Sequence, residues 1–218
     1  MQNTVNVEKS GVTALKAINV AKVITIICLI AFAVVFGISD WRQVIYMCLH
    51  VSYCLWWLLE QWLFPARQKI FNEPIGIGSL SFALLIVGFF YALPGYLAFT
   101  NPAPLSMATG AIALCLYIFG SLINATADVQ KLTAKQFQVG LVSDNIWRFS
   151  RNINYFADLL RYLSFSVVAG SVWAYLVPGY IFIFYLWRIS QKEQAMSAKY
   201  PDYSAYQQSS SRLIPFIW

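Results

Sequence analysis

Residues 74–127 read PIGIGSLSFALLIVGFFYALPGYLAFTNPAPLSMATGAIALCLYIFGSLINATA and contain no Asp, Glu, Lys, Arg or His. A membrane crossing takes about 20 apolar residues, so this run is too long for one crossing and suits two. The turn falls at Asn101-Pro102-Ala103-Pro104, where two prolines remove amide donors and break helix. The run therefore predicts a helical hairpin with spans at 76–98 and 105–125. A single apolar limb satisfies its own backbone in lipid only as a helix, so the expected fold is an all-α polytopic membrane helix bundle.

Outward from the hairpin the pattern repeats. Residues 23–38 carry no charge. They are read as a first span, because no small-x-small cleavage site follows as it would in a signal peptide. Asp40-Trp41-Arg42 forms a turn. Residues 43–64 make a second span, interrupted by Glu60 and ending in Trp56, Trp57, Trp62 and Phe64, which suit an interfacial aromatic belt. After residue 127 the chain is polar and basic as far as Asn152. A last uncharged run extends from Tyr162 to Trp187, with Gly170 and Pro178-Gly179 inside it.

Charge decides how that last run is threaded. Folded as a hairpin (154–170 and 172–188), it gives six spans and puts thirteen inter-span Lys and Arg on one side against one on the other. A single span splits them nine against five. Because basic loops stay in the cytosol, the hairpin is preferred, with both termini cytosolic. Its limbs are short, about 25 Å at 1.5 Å per residue. The first must start near Asn154, which draws Asp158 and Arg161 into the membrane or a cavity within it. The whole chain, 1–218, is read as a single integral membrane domain.

Composition agrees. The chain is 59% apolar, 17% aromatic and 11% charged, where a soluble domain carries about a quarter charged residues. That excludes an ordinary soluble enzyme, a disordered chain and a nucleic-acid-binding domain. The net charge of +6 is read as topology bias, so no nucleic-acid partner is expected. Cys28, Cys48, Cys54 and Cys115 sit in apolar runs without CxxC spacing and read as packing residues. His50 is the single histidine, which excludes a multi-histidine metal site, and no metal is expected.

Ionisable groups at membrane depth are costly and usually paired or functional. Here they are His50, Glu60, Asp158 and Arg161. Helical from Asn154, the chain places Asn154, Tyr155, Asp158, Arg161 and Tyr162 on one face. Lipid would not tolerate such a stripe, so it must face protein, water or a ligand. Lys131, Arg148 and Arg151 before it, and Arg188, Lys192, Glu193, Tyr200, Tyr203 and Tyr206 after it, converge on the same side. A cationic mouth above a buried polar stripe suits an anionic soluble cofactor meeting a lipid-soluble substrate.

At these residues the sequence resembles the membrane superfamily of sterol reductases, steroid 5α-reductases, bacterial and plant reductase-like proteins and isoprenylcysteine carboxyl methyltransferases. Asp128-Val129-Gln130-Lys131 is similar to its acid-or-amide, x, Gln-Lys element. Gly140 to Asp158, with Trp147-Arg148 and Ser150-Arg151-Asn152-Ile153-Asn154-Tyr155, resembles its central element. Lys192-Glu193, Lys199-Tyr200-Pro201-Asp202-Tyr203, Tyr206 and Arg212-Leu213-Ile214-Pro215 resemble its ending. Leu63-Phe64-Pro65 to Asn72-Glu73-Pro74-Ile75-Gly76 is similar to the bacterial and plant subgroup. Ile153 stands where Pro is usual and Ala157 where Gly is usual. Asp158 and Gln130-Lys131 look more like the reductase branch.

The resemblance implies a NADPH-dependent oxidoreductase that reduces a C=C bond in a steroid- or isoprenoid-like lipid entering from the bilayer. The implied cofactor-binding residues are Asp128, Gln130, Lys131, Trp147, Arg148, Arg151, Asn154, Tyr155, Asp158, Arg188, Glu193, Tyr203 and Tyr206. Lys131, Arg148 and Arg151 would hold phosphates. Tyr155, Asp158 and Glu60 are the implied catalytic residues, with Tyr155 and Glu60 as proton donors. The alternative in the same fold is an S-adenosylmethionine-dependent methyltransferase acting on a lipid or prenylated substrate. A third reading is a non-enzymatic membrane protein.

Overall fold

The computed structural model describes residues 11–68 and 71–218. Lys9 and Lys69, counted in the charge argument, lie outside them. Among the described residues the long elements are all helical, and the only strand-like pairings are two isolated bridges, Thr13 with Pro74 and Ser150 with Ser211. In chain order the α-helices are α1 (Ala14–Phe36), α2 (Trp41–Leu63), α3 (Pro65–Gln68), α4 (Ile77–Phe82), α5 (Leu93–Thr100), α6 (Met107–Gln136), α7 (Ile153–Ala169), α8 (Leu176–Lys199) and α9 (Tyr203–Ser209). A π-helical stretch, Ala83–Phe89, and a 3₁₀ turn, Phe90–Ala92, join α4 to α5 into one continuous rod.

Among the described residues, four helical segments are long and apolar enough to cross a membrane: Ala14–Phe36, Ile77–Thr100, Met107–Gln136 and Val172–Lys199. The chain is a polytopic helical bundle. The boundaries differ from the sequence reading where helices run on past their apolar stretch. α1 starts at Ala14, not 23, and takes in Lys16 and Lys22. α6 ends at Gln136, not 125, so Asp128, Gln130 and Lys131 stand on a helix and not in a loop. Charge marks where lipid stops, and a helix does not have to stop there.

α2 and α7 are the two long helices outside that set. α2 carries Arg42, Gln43, His50 and Glu60, all buried. α7 has only 17 residues, most of them buried. It packs against α2, α5, α6 and α8, most extensively against α6. Closeness to α6 depends on Gly120, where an added Cβ would lie 2.7 Å from the Ala157 carbonyl oxygen. A helix enclosed by others needs no apolar surface for lipid, which explains why α7 tolerates its polar residues.

The helices alternate in direction. Asn19, early in α1, bonds Trp57 and Gln61, late in α2. Asn124, late in α6, bonds the Asn154 carbonyl at the start of α7. Arg151 before α7 pairs with Glu193, late in α8. The start of α1 and the tail after α8 therefore share one end of the bundle.

The opposite end is held by a clasp. Asp40 accepts from the amides of Arg42 and Leu105, both at 2.9 Å, and caps α2. The Arg42 guanidinium donates to the Ala103 carbonyl (3.2 and 3.1 Å) and to the Val168 carbonyl. Asn101 donates to the Ala169 carbonyl at 3.0 Å. These bonds satisfy the last carbonyls of α7, which a helix end leaves without partners. Gly170 ends the helix at φ +65, and a side chain there would strike the Arg42 guanidinium and Asn101.

Arg42→Met should lower the stability of the detergent-purified protein by about 2–4 kcal/mol, since charged hydrogen bonds to buried carbonyls are lost. Thermal unfolding checks this, and an unchanged midpoint would mean the clasp is dispensable. A compartment-sensitive reporter at the C-terminus should read cytosolic; an external signal would overturn the basic-side assignment of that end.

Candidate functional site

α7 begins at Ile153, where Asn152 leads in with a non-helical backbone and a side-chain amide bonded at both its nitrogen and its oxygen. Asn152 donates from Nδ2 to the Arg212 carbonyl (2.8 Å) and accepts at Oδ1 from Lys192 Nζ (2.7 Å). Lys192 also donates to the Arg151 carbonyl at 3.0 Å. One lysine of α8 thus fixes both residues that lead into α7. Ser150 donates to the Leu213 carbonyl at 2.9 Å, tying in the tail.

From there the polar stripe descends along α7. Tyr155 stacks on Tyr185 of α8, with ring centroids 4.3 Å apart and planes 13° from parallel. Tyr185 donates its phenol proton to Asp158 Oδ2 at 2.8 Å. Asp158 is ion-paired with Arg161, one turn along. The Arg161 guanidinium also lies 4.8 Å from the Tyr53 ring centroid of α2, and the Tyr53 and Tyr162 hydroxyls are 2.6 Å apart. Asn154 differs: its Oδ1 is buried and has no hydrogen-bond partner.

Above the stripe sits a cationic cluster. Trp147 is buried, with its indole N–H donating to the Ala127 carbonyl at 3.3 Å. Lys131 and Lys192 approach its ring, with ammonium groups 5.3 and 5.4 Å from the centroid. Lys192 lies within electrostatic reach of Lys131, Arg151, Asp128 and Glu193. Arg188 is exposed and interacts with the Tyr155 hydroxyl. Like charges gathered around one aromatic ring repel each other, so the cluster is a natural seat for an anion.

Other expected residues are committed to structure. Arg151 pairs with Glu193 (3.0 Å) and donates to the carbonyls of Gln207 (2.9 Å) and Ser210. Glu193 also holds Arg212 at 3.1 Å. Tyr206 donates to the Trp147 carbonyl at 2.6 Å, and Tyr203 is buried beside it. Burial pushes both phenols above their usual pKa, so they stay neutral. Arg148 is exposed over Phe149. Gln130 bonds Asp144 at 3.0 Å. Glu60 is buried near the end of α2, on the face shared with Trp57, which bonds α1.

No sequence signal marks Tyr185, Tyr53 or Asn124 as site residues: Tyr185 lies in an apolar run with nothing to show that its hydroxyl meets Asp158. Asn152 belongs to a matched element, and its role at the start of α7 comes from tertiary contacts. Among the described residues no group of three or more His, Cys, Asp or Glu could hold a metal.

Asp158→Asn should destabilise the protein by about 3–5 kcal/mol, because Arg161 stays buried without its carboxylate. Asp158→Asn combined with Arg161→Met should recover most of that loss. Additive losses in a double-mutant cycle would show that the pair is not coupled.

The chain matches the family described as a protein of unknown function (DUF1295) over residues 77–210. It is also similar to the Delta(14)-sterol reductase of Arabidopsis thaliana, 23% identical over 181 residues. That alignment takes in 76% of this chain and 49% of the relative, so the chain spans about half the length of the curated relative it matches. The family region runs from α4 to the end of α9 and contains the cationic cluster and the Asp158 stripe, while Lys22 and Glu60 precede it. Matched over more than half its length, the chain belongs to the DUF1295 family and is a polytopic helical bundle that is similar in sequence to a sterol reductase.

Proposed function

We propose that the protein is a membrane reductase that uses NADPH to reduce a C=C bond in a sterol-like or isoprenoid-like lipid. The observation that carries this reading is the vertical pairing of two sites: a cationic cluster around Trp147, and the Tyr155–Tyr185–Asp158 group directly below it on α7 and α8. The similarity to a sterol reductase supports it.

The residues fit the cofactor. Lys131 and Lys192, with Arg188 nearby, supply the cations that phosphates need. The partnerless Oδ1 of Asn154 is a buried acceptor waiting for an amide or hydroxyl donor. Arg151 and Glu193 serve the site indirectly, by fixing the tail over it. When bound, the nicotinamide supplies a hydride to one carbon of the alkene.

The chain's own residues manage the proton. Asp158 holds the Tyr185 phenol, and the Tyr185 ring fixes Tyr155 by stacking. Tyr155 is the proposed donor to the second carbon, with Arg188 stabilising the phenolate left behind. The helices enclosing α7 exclude water from the reacting bond.

Calorimetry on the detergent-purified protein tests the reading. NADPH should bind, and Lys131→Ala should weaken it about tenfold, or 1.4 kcal/mol, while changing NADH much less. Equal losses would remove Lys131 from the extra phosphate. Binding of S-adenosylmethionine in place of NADPH would replace the reductase reading with methyl transfer.

A further inference from the structure

One buried cation plays no part in the cofactor reading. Lys22, in α1, is 3% exposed. Its ammonium lies 4.0 Å from the Tyr53 ring centroid and 5.8 Å from that of Tyr91. Asp158, the carboxylate within its electrostatic reach, is already paired with Arg161. Arg161 is itself 6% exposed, with an Nε that has no hydrogen-bond partner. Among the described residues, two buried cations thus share one carboxylate, leaving an excess positive charge inside an apolar bundle. Such an excess is expensive unless something offsets it.

The surrounding backbone is irregular at the same place. The rod from Ile77 to Thr100 turns π-helical over Ala83–Phe89 and 3₁₀ over Phe90–Ala92. Thr25 of α1, one turn from Lys22, places its hydroxyl 3.0 Å from the carbonyls of both Val87 and Gly88 in the π segment. Such segments in a helix frequently mark functional sites. Here the deviation brings Tyr91 to the cluster, its ring centroid 5.3 Å from that of Tyr162.

We propose that Lys22, with Tyr53, Tyr91, Tyr162 and Arg161, forms the seat for a carboxylate on the lipid substrate. The proposal deepens the reductase reading by naming a substrate class, but the seat exists whether or not a cofactor binds. A carboxylate cancels the excess charge, whereas a neutral alcohol or ester leaves it in place. The Tyr53 and Tyr162 hydroxyls, 2.6 Å apart, hold one phenol proton between them and leave the other for the carboxylate. Lys22 and Asp158 both lie close to Tyr53 and Arg161, so a carboxylate held by Lys22 keeps the lipid chain beside the Tyr155–Tyr185 pair.

The test uses the detergent-purified full chain without cofactor, titrated with cis-parinaric acid and its methyl ester and followed by probe fluorescence. The acid should bind at least tenfold more tightly than the ester. Lys22→Met, nearly the same size, should bring the acid down to the ester's affinity and leave the ester unchanged. Lys22→Arg should keep the preference. Equal binding of acid and ester by the unaltered protein would overturn the proposal without requiring any variant to fold. So would a preference that survives Lys22→Met. Since no nucleotide is present, loss of NADPH binding in the separate calorimetric experiment would sink the reductase reading alone.

Discussion

Asp158 and Arg161 stand one turn apart on α7 and pair with each other. Neither can face lipid as an ion, so α7 has to be enclosed. Much of the architecture follows from that. α2, α5, α6 and α8 surround the short helix. Tyr185 and Tyr53 reach the pair from two of these neighbours, one through its hydroxyl and the other through its ring face. Gly120 lets α6 come close enough to cover the Ala157 backbone. The central helix can carry its polar residues because its neighbours enclose it.

The two ends of α7 are treated differently, and the difference separates scaffold from site. At its C-terminal end Arg42 and Asn101 satisfy the last carbonyls, and Gly170 supplies the left-handed residue that lets the guanidinium approach. Everything polar there is used. At its N-terminal end Lys192, Arg151 and Asn152 are also bonded, yet Asn154 keeps an acceptor without a partner and two lysines crowd one indole. A saturated clasp provides rigidity. Unspent donors, acceptors and charge are what a ligand can use.

The motif residues divide along the same line. Arg151, Glu193, Tyr203 and Tyr206 are committed to holding the tail and the Trp147 segment in place. Lys131, Lys192, Asn154, Tyr155 and Asp158 converge on shared space. A sequence motif lists both kinds together, because both are needed for the site to exist. The first group serves stability, and Asp158 and Lys192 serve both, because one holds buried Arg161 and the other fixes the entry to α7.

Much of this was legible in the chain. The charge-free run 74–127 and the prolines at 102 and 104 determine a helical membrane bundle, because lipid admits few backbone solutions. The spacing of Asn154, Tyr155, Asp158 and Arg161 determines a polar face, because helical periodicity is local. Tertiary structure alone decided what meets that face. That Tyr185 bonds Asp158, that Lys22 shares Tyr53 with Arg161, and that Glu60 stands on the α1 side of α2 all depend on how separate helices rotate and pack. Those rotations are set by side-chain contacts between residues far apart in the chain, such as Arg42 with Val168, and no local pattern encodes them.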